Sequence, residues 1–521
     1  MFGLYIKTEV KKLNNNPITI HNQFIEGASF KSAIGNKGLY EQTRINERFY
    51  IGDQWYGAKC GSDRPLVRHN IIKRIGDYKM SQILSGQFSV KFSADGISSA
   101  KSSENSTADD MMSLLDNYYQ VTSERVNLTS LIDKTLKNSY ISGTGVIYTY
   151  WDSSIPTGFF ADSKNSVPIK GDICCEVLNI EDIVFGDPYS ESIQNQPYII
   201  LSCKRNTDEV IKIARIHGAS LSDLSRISEE ADDGKIKVYT KLYKKYKRDG
   251  SFTVFAVKST EKSIIQNEFD TGLSLYPLSV FRWETKTNCA YGESEITYLI
   301  PNQIAINRMI TANVWSAMTT GMPIMLVNGD TVTDKITNDP GQIIKVFGNS
   351  EDVEGAVKYL APPSFMKDFS ESIDALINNT LTQSGANEVA LGDSKADNAS
   401  ALATMRDSAL MPLQTVKKRF HSFIEELARI WADFWICYYG IRQIRLSSDG
   451  SMTEFSSEKY RGLIINSRVD ISTDTVYSDK ECLDNLITLF EKGIIDRKQF
   501  LNRIPKGLVP QLDQLIKEAE E

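Results

Sequence analysis

Helical spacing of apolar side chains is clearest between residues 296 and 440. The first such stretch, 296–320, carries the small residues Ala305, Ala312, Ser316 and Ala317 at positions suited to close helix contact, and it stops at Gly321-Met322-Pro323. In the second, 364–384, Phe365, Phe369, Ile373, Leu376 and Thr380 recur every three or four residues, while Lys367, Glu371, Asp374 and Asn378 fall opposite. One face packs; the other is wet and mostly acidic. At a rise of about 1.5 Å per residue this helix is about 30 Å long.

The segment between them, 323–363, reads as a compact insert, with apolar runs at 324–327 and 343–347 predicting short strands about the turn Asn338-Asp339-Pro340-Gly341. Residues 385–398 are rich in turn formers and poor in apolar side chains, which predicts a mobile loop exposing Asp393, Lys395 and Asp397. From the N-cap residue Asn398 to Gly440, suited to the left-handed position that ends a helix, the spacing predicts one helix about 60 Å long. Leu413, Val416, Phe420, Phe423, Leu427, Ile430, Phe434 and Tyr438 form its buried spine. Pro412 removes a backbone donor and clashes with the preceding turn, predicting a kink near Ser408.

Elsewhere the period is two. Lysines at 235, 237, 241, 244, 245 and 247 interleave with Ile236, Val238, Leu242 and Tyr246, as in a half-buried strand with a charged outer face that turns at Asp249-Gly250 into 252–257. A functional alternative puts this basic face against DNA. Ile444, Leu446, Leu463, Ile465, Val469 and Ile471 give residues 441–475 strand-like patterning. Ser478 caps a predicted helix to Lys492, Gly493 turns the chain, and a second helix starts at Asp496. That layout also fits a helix-turn-helix reader, with Arg497, Lys498, Gln499 and Arg503 as candidate contacts, although Pro505 and an acidic end follow at once. Residues 1–39, with Asn14-Asn15-Asn16-Pro17 and two glycines at 35 and 38, read as a loosely ordered arm.

Composition narrows the classes. At 521 residues, 41% hydrophobic and 24% charged, the chain can bury a large core in several subdomains. The most apolar stretch, 428–441, is short and contains Asp433, so neither a membrane span nor a signal segment is expected. Seven cysteines, odd in number and without CxxC spacing, fit reduced thiols better than a disulfide framework. Histidines scattered at 21, 69, 217 and 421 do not suggest zinc, and no phosphate loop, nucleophile elbow, HExxH or EF-hand spacing occurs. No cofactor is expected. Glu181, Asp182 and Asp187 are conceivable nuclease carboxylates, but Asp187-Pro188 is an ordinary turn signal.

Several local segments share an order with one known family. Asn46-Glu47-Arg48-Phe49-Tyr50-Ile51-Gly52-Asp53-Gln54-Trp55 is followed by Asn70-Ile71-Ile72; then come Ser142-Gly143-Thr144-Gly145, Ile180-Glu181-Asp182, Phe185-Gly186-Asp187-Pro188, Tyr291-Gly292-Glu293-Ser294, Pro301-Asn302-Gln303 and Asn307. In this order, and with the helix, insert, helix, loop and helix that follow, the chain resembles the portal (head-tail connector) proteins of tailed bacteriophages over about residues 40–500.

The resemblance implies an α+β fold: an N-terminal arm (1–39), a mixed α/β wing (40–295), stem helices (296–322 and 364–384) around a small α/β clip (323–363), a tunnel loop (385–398), a long kinked helix (399–440), wing return strands (441–475) and a helical crown (476–521). It implies no enzymatic activity but a ring, usually a dodecamer, at one capsid vertex of the virion, assembled in the host cytoplasm. Double-stranded DNA would pass through without sequence specificity, driven by a separate terminase whose large subunit docks at the clip. Adaptor and tail proteins, coat and scaffold would be the other partners, and no membrane. Docking candidates in the clip are Asp330, Asp334, Asp339, Glu351 and Asp352. A non-conducting capsid or tail ring protein is the alternative, with no need for a mobile loop.

Net charge fits a conduit. Lysines and arginines number 59 against 66 acidic residues, net −7, whereas a protein that grips duplex neutralises phosphates with cations. Repulsion from Asp368, Glu371 and Asp374, relieved locally by Lys367, Lys395 or Arg406, would let DNA slide. The same charges also read as ordinary solvated helix faces.

Overall fold

The computed structural model describes residues 15–57, 65–84, 89–95, 102–160, 168–246, 252–321, 325–328, 330, 332, 345, 347, 357–359, 366–386, 411–446, 451–460, 463–470, 479–501 and 504. The chain is mixed α/β with several small sheets. It divides into two compact units, one of residues 1–43, 79–295 and 403–521, the other of residues 44–78 and 296–402.

In the first unit, α1 (Pro17–Ala33), α4 (Ser102–Arg125) and α5 (Leu128–Ser142) precede a three-stranded antiparallel sheet in which β2 (Thr144–Phe160) lies between β3 (Pro168–Leu178) and β9 (Leu278–Arg282). A five-stranded antiparallel sheet runs in chain order: β4 (Ile183–Phe185), β5 (Ile199–Asn206), β6 (Lys235–Tyr246), β7 (Phe252–Ser259) and β8 (Ile264–Asp270). One face buries Val184, Ile200, Tyr239, Tyr243 and Val257 against Ile20 and Phe24 of α1. On the other, Ile236, Val238 and Ile265 pack with Val210 and Ala214 of α6 (Thr207–Ile216) and Leu224 and Ile227 of α7 (Leu221–Glu229).

This layering corrects two sequence expectations. Residues 17–33 are a helix with its own core face, because Ile20, Phe24, Gly27 and Lys31 share one stripe. The alternate face of β6, expected to be charged and outward, is outward only toward its ends: Lys235 and Lys237 are exposed, Lys237 over the ring of Phe24, whereas Lys241 is fully buried beside the rings of Tyr198 and Tyr243. At the other end of that face Lys245 is exposed and pairs with Glu268.

Helix α10 (Gln414–Tyr438) is the spine of this unit, with Phe420, Phe423, Leu427, Ile430 and Phe434 buried together with Ile424, Trp431 and Trp435. Its register against β9 is marked by Ser279 Oγ donating to Phe423 O at 2.8 Å. Gly440 follows at φ +62°, the left-handed conformation expected at the end of this helix. Pro412 sits in a short 3-10 turn, Met411–Leu413, directly ahead of α10, rather than in the middle of a described helix, and the preceding 399–410 lie outside the described residues. A first-turn position suits proline, whose missing N–H has no helical acceptor to lose there. The expected return strands appear as the hairpin β12 (Ile441–Leu446) with β13 (Ser451–Ser456), and as β14 (Ile464–Asp470), paired with β1 (Ser89–Asp95). Near the C-terminus α11 (Asp479–Glu491) and the five-residue α12 (Arg497–Leu501) meet through Phe490 and Phe500, ring centroids 5.1 Å apart.

The second unit holds a helix pair, α8 (Glu295–Gly321) and α9 (Met366–Gln383). Asn302 Nδ2 donates to Thr380 Oγ1 and Asn313 Nδ2 to Ser370 Oγ, so the two helices run antiparallel. The insert between them contains the strands β10 (Met325–Val327) and β11 (Val357–Tyr359). The partner of β10 is thus later in the chain than the expected 343–347 strand; of that run only Lys345 and Phe347 are described, and neither lies in a strand. Residues 44–78, read from sequence as wing, belong to this second unit, where they supply the end of α2 (Leu39–Ile51) and the start of α3 (Ile71–Leu84).

Candidate DNA-channel helices

The wet face of α9 is as its periodicity predicts. Ile373, Thr380 and Leu381 are buried, while Glu371, Asp374 and Asn378 are exposed. Lys367 and Asp368 occupy the first turn of the same helix. Asp393, Lys395, Asp397 and Arg406 lie outside the described residues, as do Asp334, Asp339, Glu351 and Asp352. Asp330 is exposed, its N–H donating to Asn328 Oδ1 at 3.1 Å. The structure therefore brings Glu371 and Asp374 onto one helix face.

What fixes the orientation of α8 is a buried polar network built from the sequence motifs. Gln303 Oε1 accepts from the backbone N–H groups of Ile71 and Ile72 at 3.0 and 3.3 Å, and its Nε2 donates to His69 O at 2.6 Å and to Asn307 Oδ1 at 3.0 Å. Asn307 Oδ1 also accepts from His69 N at 3.1 Å, and Asn307 Nδ2 donates to Gln54 Oε1 at 2.5 Å. Further along, Val67 N donates to Thr311 Oγ1, and Trp55 Nε1 donates to Val67 O. Gln303 and Asn307 are almost wholly buried. Side-chain amides can satisfy both donors and acceptors at the start of α3, so this set pins the roll of α8 as well as its position.

The other motifs meet in the first unit. Gly143, at φ +87°, and Gly292 approach so closely that a Cβ on either would come within 2.5 Å of the other's carbonyl oxygen. Gly292 N donates to Thr144 Oγ1 at 2.8 Å, and Ser294 Oγ donates to Tyr140 O at 2.5 Å. The carboxylates once eligible as nuclease ligands have structural partners: Asp187 Oδ1 accepts from Tyr189 N at 3.0 Å and Asp182 Oδ1 from Ser202 Oγ at 3.2 Å. Among the described residues no group of three His, Cys, Asp or Glu side chains is placed to hold a metal ion. Nor is any helix among them long and apolar enough to cross a membrane.

Lys31 escaped the sequence reading. Fully buried, its ammonium donates to the carbonyls of Ile180, Glu181 and Ile183 at 2.8, 3.0 and 2.9 Å, tying α1 to the turn that enters β4. Burial pushes its pKa down to about 7, against the opposing pull of Asp182 and Glu181. The available signal was its place on the apolar stripe of α1, seven residues after Phe24.

No protein-family model matches this sequence, and no curated protein is significantly similar to it.

Proposed function

We propose that this chain is the subunit of a bacteriophage portal: a ring at one capsid vertex whose channel passes double-stranded DNA during packaging by a separate terminase and during ejection. The observation that carries this reading is the antiparallel α8–α9 pair, with an insert at one end and exposed Glu371 and Asp374 along α9. A conduit must avoid strong phosphate contacts, since each has to break at every step, and an acidic lining with isolated cations meets that requirement. Further support comes from the motifs of the resemblance, which are far apart in sequence yet meet as two contact sets, one within each unit: Gln54–Gln303–Asn307 and Gly143–Gly292.

In this reading each subunit presents two different faces to its neighbours, and the ring closes only when the rotation between them fits, with a dodecamer expected. The insert would dock terminase and later adaptor and tail proteins, with Asp330 as an exposed candidate contact. The C-terminal helices would form the crown.

Electron microscopy of the purified protein tests this directly. Closed rings of about twelve subunits with an open channel wider than the roughly 20 Å duplex are expected. Closed rings without a channel would overturn the conduit in favour of a structural ring protein.

A further inference from the structure

The five-stranded sheet of the first unit is incompletely covered on its α6 side. Between this face and the wall formed by β2 and α10 lies a cavity of about 550 Å³. Leu201, Leu242 and Phe269 line it from the sheet, and Tyr148, Phe434 and Tyr438 from the opposite wall. Protein interiors normally leave few voids larger than a water molecule, and a space of this size falls in the range of small-ligand pockets, about 300–1,000 Å³.

Two cations reach the cavity from the sheet, Arg205 and Lys258. They are not equivalent. Arg205 lies against the Cys203 thiol and in the field of Glu176 and Glu209, both of which also line the space. Lys258 is half-buried, its charged form disfavoured first by burial and also by Arg205. Among the described residues Lys258 makes no side-chain hydrogen bond and no ion pair. An ammonium at the wall of this half-open cleft of mixed polar and apolar lining, without a side-chain acceptor, is poorly satisfied, and an entering anion would relieve it.

We propose that this cavity binds a small amphipathic carboxylate, with its head on Lys258 and its apolar body between Leu242 and Phe269 on one side and Tyr148 and Phe434 on the other. The volume suits a single medium-length acyl chain or a fused aromatic acid. Asp152, Glu176 and Glu209 also line the space and oppose negative charge beyond the single head held by Lys258, so a monoanion is preferred over a phosphate or a dicarboxylate.

The test is isothermal titration of the full chain with dodecanoate, with dodecyltrimethylammonium as the probe of equal tail and opposite charge. Dodecanoate should bind with one site per chain, and the cation should not. Lys258→Met keeps the side-chain stem and should weaken dodecanoate at least about tenfold. Leu242→Trp, which fills the chamber without touching the charge, should abolish binding by either variant background. Absence of saturable binding would overturn the proposal, as would equal binding of the cation or an unchanged affinity in Lys258→Met. Circular dichroism of both variants separates loss of the site from loss of the fold.

Discussion

Replacing Lys31 by Met removes one ammonium and preserves most of the side-chain volume. In the native chain that ammonium serves three carbonyls, those of Ile180, Glu181 and Ile183, in a fully buried position. Each buried acceptor left without a donor costs about 1–3 kcal/mol. Ile180 O keeps the backbone bond from Ile183 N, which moderates the loss, and the thioether regains some apolar contact. The expected net effect is about 3 kcal/mol near pH 10, where the cost of shedding the proton on burial has nearly vanished, and it is localised to the contact between α1 and the turn into β4. Hydrogen exchange followed by mass spectrometry, on peptides covering 17–33 and 180–185, reads this locally. A 3 kcal/mol loss corresponds to exchange about a hundredfold faster.

The same substitution has a pH signature. The pKa of Lys31 falls from 10.5 in the unfolded chain to about 7 when buried. Between those values the unfolded chain holds a proton that the folded one has shed, so native stability rises with pH across this window and is lost as pH falls toward 7. The slope approaches about 1.4 kcal/mol per pH unit and is absent in Lys31→Met. Exchange rates within about threefold of wild type in both segments, together with an unchanged pH slope, would refute the reasoning.

Four other outcomes follow from the geometry. Gly292→Ala drives a Cβ to 2.3 Å from Gly143 O and should lower stability by about 3 kcal/mol or more, measured by thermal unfolding. Gln303→Leu strands the N–H groups of Ile71 and Ile72 and should cost about 2–4 kcal/mol, with faster exchange at the start of α3. Under the portal reading, reversing both charges in Glu371→Lys with Asp374→Lys should make assembled rings retain duplex DNA in a filter assay, and retention should fall steeply with salt; salt-independent behaviour would count against α9 facing DNA. Under the same reading, in which a kink at Pro412 would let the channel lining follow the DNA, Pro412→Ala should leave rings intact while impairing packaging; normal packaging by that variant would remove the kink from that reading.

Sequence periodicity was most informative where one element supplies its own environment. The stripe on α9, the spine of α10 and the left-handed Gly440 all follow from spacing within single segments. The short motifs were legible as landmarks, but their chemistry was not: nothing in Gln54-Trp55 announces that Gln54 hydrogen-bonds a residue more than 250 positions later. Tertiary cover explains the main errors. The lysines of β6 alternate as they would on a solvated strand, and only α1, about 200 residues upstream, turns the middle of that face, from Tyr239 to Tyr243, into a buried layer. Lys31 drew no sequence expectation because a buried ammonium needs carbonyls that another segment provides.

The pairing of β1 with β14 joins Asp95 to Ile464, about 370 residues downstream. A ribosome working at about 5–20 residues per second leaves roughly 20–70 s between the synthesis of these two strands. During that interval β1 has an open edge, and an open edge is a template for pairing with the wrong chain. The second unit, whose 296–402 segment is made in the middle of this wait, has its sequence-distant partner, 44–78, already in hand. Maturation of the chain is thus timed by its own topology: the first unit closes last, and a nascent chain stalled before residue 464 should be retained by chaperones.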